Sequence, residues 1–158
     1  MIYSLKKLDL SFASEEIAAI RYWCVGQDFS PVRTKYNKKG NWTAISIKGY
    51  SPDPLNISKP SVLGAEEVME QLQDTHLMSL LKVQPILDKI PGEKDRVRLM
   101  RLEKNSNITK HTDKVDSDIK NYRLFRLHIP IITHPDIIVE SWHDKNIVFR
   151  SNMEMGDC

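Results

Sequence analysis

Cysteine is scarce: the chain has two in 158 residues, Cys24 and Cys158. Two cysteines make no disulfide framework, and neither stands at a metal-ligand spacing from another. A reducing compartment is the simpler expectation. Long hydrophobic runs are also missing. Lys6, Lys7 and Asp9 interrupt the first ten residues, so neither a secretory leader nor a membrane span is expected there. A cytoplasmic protein with no membrane partner is therefore expected. Nor is one sign of charge in excess, with 23 basic residues against 21 acidic and a net charge of +2. That balance gives no electrostatic case for a nucleic-acid partner. Lys35, Lys38 and Lys39, beside Asn37 and Gly40, read as a solvated loop rather than a phosphate patch. Repeats and low-complexity tracts are absent.

What is present is an ordinary globular composition, 41% hydrophobic and 28% charged. The length predicts one domain over residues 1–158. Ser14 followed by Glu15 and Glu16 predicts a helix start, with acids at the positive end of the helix dipole. Ile17, Ile20, Trp23 and Cys24 then share one helical face, and Gly26 is a suitable stop. Residues 42–47 read as a strand. Pro52, Pro54 and Pro60 make 51–61 a loop. Residues 65–72 and 85–90 read as helices, the second with proline in its first turn and Gly92 beyond its end. From Arg96 onward the segments 96–102, 123–132, 137–142 and 147–150 are strand-like, the last two forming a hairpin across 143–146. The expectation is an α+β protein: N-terminal helices followed by an antiparallel jelly-roll core.

His-x-Asp occurs twice, as His111-Thr112-Asp113 and His134-Pro135-Asp136. On a strand, residues two apart face the same side, so an imidazole and a carboxylate at that spacing can grip one metal ion. A second histidine from elsewhere would complete the facial set of non-haem iron oxygenases. The motif is weak by itself, because this composition supplies roughly 0.7 copies by chance. Proline between two apolar runs makes 134–136 a strand connection. His111 follows a strand and a polar turn, where a surface histidine in a charged loop is the competing reading. A further strand, 123–129, alternates: Phe125, Leu127, Ile129 and Ile131 on one side, Arg126 and His128 on the other. A cation on the second face of so apolar a strand calls for water, a ligand or an anion. Arginine's planar fork suits a carboxylate, whether that of a bound dicarboxylate or of Asp113, Asp116 or Asp118.

The ordered set Val97-Arg98-Leu99-Met100-Arg101-Leu102, Ile108 to Asp113, Arg126 to Thr133 and Met155-Gly156-Asp157 resembles the aspartyl/asparaginyl β-hydroxylase-like family, which includes free-proline hydroxylases. The match runs over residues 77–158, with each piece loose and the order preserved. The resemblance implies an incomplete double-stranded β-helix, and Fe(II) with 2-oxoglutarate as cosubstrate. It places His111 and Asp113 as iron ligands, and Arg126 and His128 on the strand that holds the 2-oxoglutarate carboxylate. The substrate it implies is an amino acid, free or in a peptide. The family's distal histidine and its far arginine would lie beyond residue 158, so a truncated or inactive form of the hydroxylase is expected. A cupin-like jelly-roll binding module without redox activity is the alternative.

Overall fold

The computed structural model describes residues 12, 14–37, 39–58, 71–109, 126–143 and 146–152. They fall into two compact units, one drawn from residues 26–116 and the other from residues 1–25 together with 117–158. The architecture is mixed α+β, with antiparallel sheets and short helices.

The first unit is organised on one strand. Its elements are β1 (Ser30–Pro31), β2 (Trp42–Gly49), β3 (Gln73–Asp74), α2 (Leu77–Leu80), α3 (Gln84–Asp88) and β4 (Val97–Leu102). In β2 the run Ala44, Ile45, Ser46, Ile47 is buried at every position, so both faces of the strand are covered. Antiparallel β4 lies along one edge of β2, from Trp42 opposite Leu102 to Lys48 opposite Val97, with a register shift between Ser46 and Lys48. The other edge is shared by β1 near its start and β3 near its end. Between those two short strands the loop takes over. Ser46 N–H donates to the Pro54 carbonyl at 2.8 Å. Thr75 then closes the edge. Its N–H donates to Ile47 O at 2.8 Å, and its hydroxyl reaches Ser46 O at 2.9 Å and Ile47 O at 3.1 Å. Few backbone groups on this buried strand are left to water, as burial requires.

Asn37 does the same work at the start of β2. Its amide donates to Trp42 O at 2.7 Å and to Val32 O at 2.9 Å, while its oxygen accepts from Trp42 N–H at 3.0 Å. The side chain thus pairs with Trp42 as a neighbouring strand would. Gly40, with φ of 70°, supplies the left-handed residue that brings the loop back. Lys35 and Lys39 lie in a loop, as the composition predicts, Lys38 lies outside the described residues, and Lys35 lies 5.2 Å from the ring of Tyr36.

Helices α2 and α3 supply the apolar complement. Leu77, Met78, Leu81, Val83, Ile86, Leu87 and Ile90 are buried, and α2 packs against β2. Side chains of this size each contribute about 1.5–3 kcal/mol on burial. Pro85 stands in the first turn of α3, where its missing N–H costs nothing, and Gly92 lies beyond with φ of 86°.

In the second unit, α1 (Ser14–Cys24) carries Glu15 and Glu16 in its first turn and buries Ile17 and Ile20, with Trp23 half-buried. Gly26 follows with φ of 78°. Strands β5 (Ile138–His143) and β6 (Asn146–Asn152) form an antiparallel hairpin with a shift between Ser141 and Trp142.

Several expectations change here. Helices do not simply precede strands: β2 comes before α2 and α3 and is the centre of the described sheet. The segment 126–132 carries no regular strand. Pro130 has no N–H for a ladder and is itself buried, and the chain bends at Ile131 and Ile132. The helix expected at 65–72 lies outside the described residues up to position 70.

Candidate functional site

His111 and Asp113, expected as iron ligands, lie outside the described residues. Arg126 and His128 are within them. Both are exposed, whereas Leu127 and Ile129 are half-buried and Pro130 is buried. The alternation read from the sequence therefore survives as a difference in exposure, although no ladder of strand hydrogen bonds enforces it. Arg126 and His128 each interact with other groups of the protein. An exposed guanidinium and an imidazole two residues apart can meet a carboxylate without the full cost of burying a charge.

The second His-x-Asp is a turn, as its proline predicts. His134 O accepts from Ile137 N–H at 2.9 Å, with Pro135 at the first corner. His134 Nδ1 stands 3.3 Å from the Asp136 amide and 3.3 Å from Asp136 Oδ2. Unprotonated, that nitrogen accepts from the amide; protonated, it faces the carboxylate. The two side chains are 70% and 90% exposed, so the ion pair contributes little. Asn152 Nδ2 donates to Pro135 O at 3.0 Å and ties the turn to the end of β6. Among the described residues no three histidine, cysteine, aspartate or glutamate side chains approach closely enough to hold a metal ion.

Two polar clusters in the first unit were not legible in the sequence. Arg101, on β4, places its guanidinium 4.5 Å from the Phe29 ring centroid, donates to Gln27 O at 3.0 Å and contacts Glu103 at 2.8 Å. At the other end of the sheet, Arg96 lies 5.8 Å from the Tyr50 ring. Burial raises the Tyr50 phenol above its usual pKa and Asp95 adds to the rise, while Arg96 and Arg98 oppose it. Lys94 nearby donates to the carbonyls of Ile90, at 2.6 Å, and of Gly92. These groupings depend on the β2–β4 register and on loop closure, and no local spacing encodes either.

No protein-family model matches the chain, and neither does any curated protein or solved structure.

Proposed function

We propose that the chain carries part of the site of a hydroxylase of the Fe(II)/2-oxoglutarate type, in an incomplete or inactive form that resembles the aspartyl/asparaginyl β-hydroxylases and is built on a double-stranded β-helix. The observation that carries the reading is the segment 126–130. Arg126 and His128 are exposed, while Leu127 and Ile129 are half-buried and Pro130 is buried. An exposed planar cation beside half-buried apolar residues suits a small anion such as a carboxylate. The ordered R-L, H-x-D and R-x-H-x-P pattern of the sequence adds the second support.

In this reading His111 and Asp113 hold the iron, and Arg126 and His128 hold a carboxylate of 2-oxoglutarate. Bound iron would supply the oxidative chemistry, in which O₂, 2-oxoglutarate and a substrate C–H yield succinate, CO₂ and an alcohol. The protein's own share is to position the dicarboxylate and to shield the site. The substrate class is an amino acid or an amino-acid residue of a peptide.

Succinate formation with Fe(II), 2-oxoglutarate and a panel of amino acids and peptides, measured on a version supplied with the family's distal histidine and arginine, tests this. His111→Ala and Asp113→Ala each abolish turnover if these residues are ligands, and unchanged turnover in either variant refutes the assignment. Arg126→Ala removes a charge-assisted hydrogen bond of about 1.5–3 kcal/mol, which raises the KM for 2-oxoglutarate roughly 10- to 100-fold. A normal KM would confine Arg126 to its partners within the protein.

A further inference from the structure

We draw no further inference here: the strongest candidate, the cluster of Tyr50, Asp95, Arg96 and Arg98 where β2 and β4 end, is singled out mainly by a displaced phenol pKa, and nothing in the structure shows a ligand facing it.

Discussion

Replacing Thr75 with valine keeps the shape of a buried side chain and removes only its hydroxyl. That hydroxyl reaches Ser46 O at 2.9 Å and Ile47 O at 3.1 Å, and it accepts from Leu77 N–H at 3.3 Å just ahead of α2. Ile47 O keeps the Thr75 amide, at 2.8 Å. Ser46 O, by contrast, loses the hydroxyl on an edge where β1 and β3 do not reach it. A buried acceptor left without a donor costs about 1–3 kcal/mol. Losing the acceptor for the Leu77 amide adds about 0.5–1 kcal/mol, on the scale of other side-chain caps. The sum is about 1.5–4 kcal/mol, a large part of the stability of a small domain. With a urea m-value of about 2 kcal/mol/M, the midpoint falls by roughly 0.8–2 M. Equilibrium urea denaturation read by tryptophan fluorescence measures this, since Trp42 lies in β2. Thr75→Ser keeps the hydroxyl and gives up one methyl, at about 0.8 kcal/mol. If Thr75→Val is no more destabilising than Thr75→Ser, the hydroxyl does not hold the edge of β2 and the reasoning fails.

Other perturbations have equally definite outcomes. Leu77→Ala truncates a side chain only 1% exposed and should lower stability by about 2–5 kcal/mol in the same denaturation, whereas Leu80→Ala, at a position 58% exposed, should change it by less than about 0.5 kcal/mol. Asn37→Ala removes three hydrogen bonds from the loop before β2 and should cost about 1–3 kcal/mol, while a loss too small to measure would mean that water replaces the amide fully. Tyr50 has a raised pKa in the folded chain, so its phenol stays neutral at pH values where the unfolded chain has already ionised. Its contribution is therefore full below pH about 10 and lost as pH rises through the folded pKa. Wild type should lose stability relative to Tyr50→Phe on going from pH 9 to pH 11, and a constant difference would contradict the shift.

Much of the fold was legible where one residue type dictates one conformation. Pro85 and Gly92 bracket α3, Gly26 follows α1, and Pro135 turns the chain before β5. The hairpin at 137–150 was read from two strand-like runs with turn residues between them, and 42–47 was read as a strand; the structure carries that strand on to Gly49 and pairs His143 with Asn146, both expected in the hairpin loop. Residues 126–132, the described part of the strand expected at 123–132, show the limit of reading alternation. The alternation is real in exposure there, yet Pro130 breaks the ladder that alternation suggests. The two-residue strands β1 and β3 were invisible because their pairing is fixed by β2 and not by their own sequences. The four-residue α2 is too short for any period to show, and burial of Leu77 and Met78 stabilises it instead. Of the candidate site, the sequence offered spacing and order. Arg126 and His128 keep the shared exposure that spacing implied, and the His134–Asp136 pair proves to be a turn contact, as its proline foretold. Clusters such as Phe29 with Arg101 join residues 72 positions apart, and only the register of β4 on β2 brings them together.

The most direct measurement is anaerobic titration with Fe(II) and 2-oxoglutarate of a version supplied with the family's distal histidine and arginine, followed by the visible charge-transfer absorption of the chelate. The account predicts a saturable band that requires both additions, disappears in His111→Ala and Asp113→Ala, and needs more 2-oxoglutarate in Arg126→Ala. No band with that version, or one that persists unchanged in all three variants, would contradict the iron and 2-oxoglutarate assignment.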